Sequence, residues 1–412
     1  MKILYLVHQF FPEYYSGTEN FVYRLSSMMQ KTGHNVRVIT YGFYKDSFFD
    51  KRIGDILSKE FTYKGIPVTA IRHKKIPGDI NIPLVDKRLS DIADQILSAE
   101  DPFLVHVGHP MRVGEFITAS RQFDIPYIIT LTDFWIICPK VNLVNSSGDL
   151  CAGPKGGDMC RTACPELPHD ANVERSVFAH DILSGAKKII SPSRFLGGLF
   201  KNEFYDLDIT VINHGISYKR IKRNNRYYNK GDALTFCYAG TLNDHKGVHI
   251  VLDAFQRVPA DNIHLKIYGS GPNPLYVNKL YDMGRKDRRI EFRGIYSEDD
   301  VGEILSNVDV VIIPSIVYEN YPLVLHEALA CHTPVIASNI GGMAEKVQNG
   351  INGFTFIAGD PEDLSTVMKR IIADPEILNV LKENIKGAPI LTVEQEAYAY
   401  ARIYKEITQG RV

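Results

Sequence analysis

Short runs of apolar, β-branched residues alternate with helical spacing along the whole chain, and this alternation restricts the fold to β-α-β units around parallel sheets. In the first half the predicted strands are 3–7, 36–40, 68–72, 104–107, 127–131, 188–191 and 210–212. The pattern then begins again. Segments 235–239, 264–268, 290–292, 308–313, 335–337 and 354–356 supply a second complete sheet. A chain of 412 residues also exceeds one ordinary core, which stops growing near about 250–300 residues. Two α/β domains are therefore expected. The polar stretch 217–231, with Lys219, Arg220, Lys222, Arg223, Arg226 and Lys230 and no apolar periodicity, suits the junction. The domains are predicted as 1–215 and 216–391.

The chain is 45% hydrophobic and 23% charged with a net charge of -1, a globular composition that gives no electrostatic footprint for nucleic acid. Each apolar run is far shorter than a membrane span. Met1-Lys2 leads into a β-type run with no small-residue cleavage site, so no signal peptide is expected and a cytoplasmic location is. The basic stretch 217–231 and the aromatic segment 41–49 offer peripheral contact with anionic lipid, or are an ordinary solvated loop and surface.

The residues that carry chemistry follow the predicted strand ending at Pro314. Glu319-Asn320-Tyr321-Pro322-Leu323 leads into helical spacing that continues through Glu327, with Pro322 placed in the first turn. A strand, a loop and a helix N-terminus present free backbone N–H groups and the positive end of the helix dipole, which seats a phosphate. Glu327, one turn beyond Leu323, is then near enough to accept ribose hydroxyls, and Glu319 on the loop faces the sugar end.

Two glutamates eight positions apart, then Ala328-Leu329-Ala330, Pro334-Val335-Ile336-Ala337 and Gly341-Gly342, resemble the family 4 glycosyltransferases. Tyr238-Ala239-Gly240-Thr241-Leu242 with Lys246-Gly247, Tyr268-Gly269-Ser270-Gly271-Pro272 and Asn349-Gly350-Ile351-Asn352-Gly353 extend the resemblance over most of the chain. It implies a GT-B fold, two Rossmann-like domains whose parallel sheets face a central cleft, with a C-terminal helix at about 392–412 completing the N-terminal, acceptor-side domain. It also implies a retaining transfer from a nucleotide-diphosphate sugar to a glycan or lipid-linked acceptor, with no cofactor required. In that scheme Lys246 neutralises the diphosphate, the backbone from Asn320 to Leu323 holds sugar hydroxyls and phosphate, and Gly240, Thr241 and Gly269 line the donor site. The main catalytic task is to stabilise the charge of the departing diphosphate.

In the first domain Ser16-Gly17-Thr18-Glu19 precedes a helical run, and Gly17 either lets backbone approach a phosphate or makes a tight turn. Relatives usually carry a glycine pair there. They also tend to show His-Asp where this chain has Thr132-Asp133, and many carry arginine where it has Thr241. Asp133 is a candidate to orient the acceptor hydroxyl or take its proton, against a capping or turn role. These departures leave two other readings open: a degenerate protein that binds nucleotide sugar without turnover, and another GT-B enzyme such as a nucleotide-sugar epimerase. His106, His109 and His214 read as satisfied polar residues, and Arg194 as a solvent-facing helix start.

Cys138, Cys151, Cys160 and Cys164 cluster in one Gly- and Pro-containing excursion, whereas Cys237 and Cys331 sit singly in apolar surroundings. Four thiolates suffice for a structural tetrahedral zinc site, although the spacing lacks paired C-x2-C knuckles; reduced or disulfide pairs are the alternative.

Overall fold

The computed structural model describes residues 1–14 and 16–409. The chain divides into two compact units, residues 1–214 together with the segment from Val393 onward, and Gly215–Thr392.

The first unit is built on β1 (Lys2–Val7), β2 (Asn35–Tyr41), β3 (Lys51–Ile53), β4 (Ile56–Tyr63), β5 (Ile66–His73), β6 (Leu104–Val107), β7 (Tyr127–Thr130), β8 (Lys188–Ser191) and β9 (Ile209–Val211). They form one sheet in the order β3-β4-β5-β2-β1-β6-β7-β8-β9. From β5 to β9 every pairing is parallel. Helices cover both faces, so the central strands are continuous apolar runs, and Ile3 to Val7 are fully buried. The antiparallel β3 and β4 were not among the expected strands. Their signals are short: a Gly54-Asp55 turn between two apolar residues, and a Lys64-Gly65 turn in which both residues have positive φ.

The helix Val393–Thr408 packs on the helix Gly17–Lys31 within this unit. Its Tyr404 hydroxyl lies 2.6 Å from His106 Nδ1, and Thr130 Oγ1 lies 2.8 Å from His106 Nε2. Burial drives the His106 imidazole down to about 3, so this fully buried node is neutral.

The second unit holds β10 (Leu234–Ala239), β11 (Ile263–Tyr268), β12 (Ile290–Gly294), β13 (Val310–Ile313), β14 (Val335–Ser338) and β15 (Gly353–Phe356). All are parallel, in the order β12-β11-β10-β13-β14-β15. Alternate β10 residues feed opposite cores. Phe236 packs with Leu252, Phe255 and Met368, and Cys237 with Leu325, Leu329 and Cys331. Burial pushes both core thiols up to about 12.

The two segments read as lipid contacts lie at the surface, but several of their charges and rings are engaged within the protein. Arg226 Nη1 binds both Asp309 oxygens at 3.0 Å, Arg220 pairs with Asp299 at 2.9 Å, and Lys222 pairs with Glu303. In segment 41–49, Tyr44 stacks on Phe48 at 3.8 Å and Phe48 meets Phe61 at 5.7 Å. Those cations and rings already have protein partners, so membrane contact through them is not supported. Among the described residues no helix is long and apolar enough to cross a membrane.

Candidate functional site

In the second sheet β10 and β13 are neighbours, and the helices that follow them lie on opposite faces: Val248–Gln256 against one core, Leu323–Ala330 against the other. Such a reversal of strand order opens a crevice at the carboxyl ends of the two strands, where ligands bind in open α/β sheets. Lys246 comes from the loop after β10 and Glu319 from the loop after β13. Their Nζ and Oε1 atoms are 2.5 Å apart, and Ser315 Oγ donates to the same oxygen at 2.7 Å. The side chains keep 30% and 16% of their exposure, so the pair is ordered yet open to a ligand.

Close backbone packing fixes these loops. Gly247, at φ +71°, leaves no room for a Cβ, which would lie 2.0 Å from the Pro314 carbonyl oxygen. Gly342 donates its N–H to the Glu319 carbonyl at 2.7 Å, and a Cβ there would lie 2.4 Å from the Asn320 oxygen. The glutamate loop therefore rests directly on the Gly341-Gly342 backbone.

Pro322 is the N-cap residue rather than part of the first turn, and Leu323 opens the helix. The N–H groups of Leu323 and Val324 precede its first intrahelical bond. Tyr321 stacks on His326, with centroids 3.5 Å apart, and His326 Nδ1 donates to the Pro322 carbonyl at 2.9 Å. Glu327 lies one turn further along, beside Tyr296, whose phenol is pushed well up first by burial and then by that carboxylate. Thr241 is exposed, and its carbonyl accepts the Tyr238 hydroxyl at 2.7 Å. Gly240 and Gly269 touch through backbone, a Cβ on Gly269 lying 1.8 Å from the Gly240 oxygen. Ser315, Tyr296 and His245 were missed in the sequence. Burial and then Lys246 lower the His245 imidazole, and only its position beside Lys246 marked it.

A second polar cluster lies in the first unit, at the carboxyl ends of β1, β6 and β7. His109 Nδ1 accepts the Met111 N–H at 3.2 Å, which assigns the proton to Nε2, and Nε2 donates to Asp133 Oδ2 at 2.9 Å. Asp133 Oδ1 accepts the Trp135 N–H at 2.8 Å, and the Thr132 hydroxyl donates to the Gly108 carbonyl at 3.0 Å. The His8 ring lies 4.1 Å from that of His109. Burial first, with the Arg112 guanidinium among its neighbours, holds His8 well below its ordinary range. His8 Nε2 is 3.6 Å from Oε1 of the fully buried Glu19, which Ser16 also binds. Neither His8 nor Glu19 stood out in the sequence. Among the described residues a Cβ on Gly17 would meet nothing within 4 Å, so none of them demands glycine there.

The zinc expectation is not met. All six cysteines are free thiols, and among the described residues no group of three or more ligating side chains is arranged to hold a metal ion. Cys160 lies close enough to Cys138, Cys164 and Cys151 to feel their charge, and burial first of all raises it to about 12. Two of the sulfurs have other partners: Cys151 Sγ donates to the Gly153 carbonyl at 3.5 Å, and Lys140 Nζ reaches Cys164 Sγ at 4.0 Å. Arg175 anchors the excursion instead. It is 6% exposed, stacks over Trp135 at 4.5 Å and donates to the Trp135 and Ile82 carbonyls.

Residues 15–220 match the family described as Glycosyltransferase Family 4, and residues 220–388 match that described as Glycosyl transferases group 1. The chain belongs to the family 4 glycosyltransferases. It is 28% identical over 217 residues to the lipopolysaccharide 1,2-N-acetylglucosaminetransferase of Salmonella typhimurium, covering 49% of this chain and 57% of that one. Over 173 residues it is 33% identical to the glycogen synthase of Mycobacterium tuberculosis, 41% of each chain. The chain thus spans about half the length of these relatives. Among solved structures, sucrose-phosphate synthase from Thermosynechococcus elongatus superposes with TM-score 0.74 at 17% identity, covering 99% of both chains. Anabaena HepE, solved in complex with UDP and glucose, gives 0.69 at 18% identity, covering 98% of this chain and 100% of that one. These likenesses establish the GT-B fold.

Proposed function

We propose that this chain is a glycosyltransferase that moves a sugar from a nucleotide-diphosphate sugar to a glycan or lipid-linked acceptor, with retention of configuration. The observation that carries the reading is the meeting of Lys246 and Glu319 at the switch point of the second sheet, beside a helix N-terminus. The diphosphate is seated on the first N–H groups of Leu323–Ala330 and shares Lys246, while Glu327 receives the ribose hydroxyls. Glu319 and the backbone of Asn320 and Tyr321 take the sugar hydroxyls. As the diphosphate leaves, Lys246 and the oriented amides meet a charge that grows in the transition state, which is where preorganised dipoles accelerate most. Asp133 stands on the acceptor side. The complex of HepE with UDP and glucose supports a uridine donor as the first to try. The free thiols suit a reducing compartment, and we place the reaction in the cytoplasm.

The test is a thermal-shift screen of UDP-, GDP- and ADP-sugars, followed by product analysis with the sugar that stabilises the fold. Transfer that is lost in Glu319→Ala supports the reading. Stabilisation by a nucleotide sugar with equal, negligible turnover in wild type and Glu319→Ala points to a binding protein instead. A free, epimerised nucleotide sugar as product points to an epimerase.

A further inference from the structure

The first unit repeats the geometry of the second, since β1 and β6 are adjacent strands at a reversal of order. Its crevice edge carries the His109–Asp133 pair, and the bonds around that pair are unusually complete. His109 is 2% exposed and Asp133 24%, so the histidine is enclosed while the carboxylate reaches solvent. Both imidazole nitrogens are assigned: Nδ1 accepts from Met111 and Nε2 donates to Asp133. His8 at 4.1 Å and Trp135 at 5.5 Å flank the ring. Asp133 receives one donor on each oxygen, from His109 and from the Trp135 N–H. A carboxylate has about four lone-pair sites, so the edge facing solvent retains acceptor capacity.

We propose that His109 is a positioning residue for the acceptor hydroxyl, holding Asp133 through its Nε2–H so that the open edge of the carboxylate meets the nucleophile. This rests on the transferase reading above. The hydroxyl donates to Asp133. As the new bond from its oxygen to the anomeric carbon forms, the bond from that carbon to the diphosphate oxygen breaks. The hydroxyl enters on the face from which the diphosphate departs, so configuration is retained; the diphosphate leaves with the electron pair, and the hydroxyl proton passes to Asp133. Deleting the Nε2–H leaves the carboxylate in place but free to turn, a defect in the chemical step rather than in donor binding.

Two measurements on the full chain test this. Nitrogen-15 imidazole NMR reads the pair without any donor: His109 is expected as the Nε2–H tautomer, with its signal displaced in Asp133→Asn. An Nδ1–H tautomer overturns the proposal. UDP release from UDP-glucose, with water or an added glycoside as nucleophile, reads function in wild type, His109→Leu, His109→Gln and Asp133→Asn. His109→Leu is expected to lower kcat at least tenfold with KM for UDP-glucose unchanged, and His109→Gln, which keeps an N–H donor, to recover most of it. If His109→Leu stays within twofold of wild type while Asp133→Asn is inactive, His109 has no such role and the Asp133 reading stands. If Asp133→Asn matches wild type, the assignment of Asp133 itself falls.

Discussion

The two switch points share a strand order and differ in how they are built. In the second unit the loops are fixed by backbone meeting backbone at Gly247, Gly269 and Gly342, which leaves Lys246 and Glu319 as the charges facing the crevice. In the first unit side chains occupy that place, with His8, Glu19 and His109 enclosed beneath Asp133. On the proposed reading, a site for one constant ligand group, a diphosphate, suits a rigid cradle of amides, and a site for a variable acceptor suits side chains whose identity changes with the substrate.

The sharpest way to break this contrast is to remove a charge from each side. Lys246→Ala and Glu319→Ala are each expected to lower kcat by about 10²- to 10³-fold, the usual loss for one preorganised electrostatic group. Lys246→Ala should also raise the Kd for UDP, measured by calorimetry, whereas Asp133→Asn should leave it unchanged. A Kd that rises equally in Asp133→Asn would abolish the division of labour.

Gly342→Ala tests the backbone cradle without touching a charge. The added Cβ must move the Asn320 and Glu319 carbonyls, which it would approach to 2.4 and 2.8 Å. Overpacking of this kind costs about 1–3 kcal/mol. A lower melting temperature with transfer reduced at least tenfold is expected; unchanged kcat would show that the loop position does not matter. On the other side, Arg175→Met keeps a buried apolar stem but strands the Trp135 and Ile82 carbonyls. Leaving such groups unsatisfied costs about 1–3 kcal/mol, which urea denaturation should register with the Kd for UDP unaltered.

The same contrast explains what the sequence could reveal. Loops held by backbone contact write themselves as glycines at fixed spacing, so the six strands of the second sheet and the turns between them were legible. The enclosed cluster of the first unit is assembled from His8, Glu19, His109 and Asp133, far apart in the chain and individually commonplace. Nothing in their spacing brings them together; only the parallel order of β1, β6 and β7 does. The four clustered cysteines misled for the opposite reason. Their density suggested a shared ligand, but Cys151 bonds to nearby backbone, Cys164 meets Lys140, and the excursion is held through Arg175. The β3–β4 hairpin went unread because its strands are short or half-exposed and its Gly54-Asp55 turn stands outside the β-α-β rhythm.

Enclosed side chains also make the first unit sensitive to acid, through His106 most directly. Its imidazole ionises near the ordinary 6.5 in the unfolded chain and at about 3 in the folded one, because burial penalises the cation. Its folded pKa is depressed, so the neutral ring's contribution is intact above pH 6.5 and is lost as pH falls from there toward 3. Each pH unit in that window removes up to about 1.4 kcal/mol. His106→Asn keeps a donor and an acceptor between Tyr404 and Thr130 but takes up no proton, so its unfolding free energy should fall less steeply than that of wild type in urea titrations between pH 6.5 and 4. The two slopes should diverge while the values at pH 8 differ by a constant offset. Parallel slopes would mean that the ring can be protonated in place, and that the enclosure of this unit is looser than the bonds to Tyr404 and Thr130 imply.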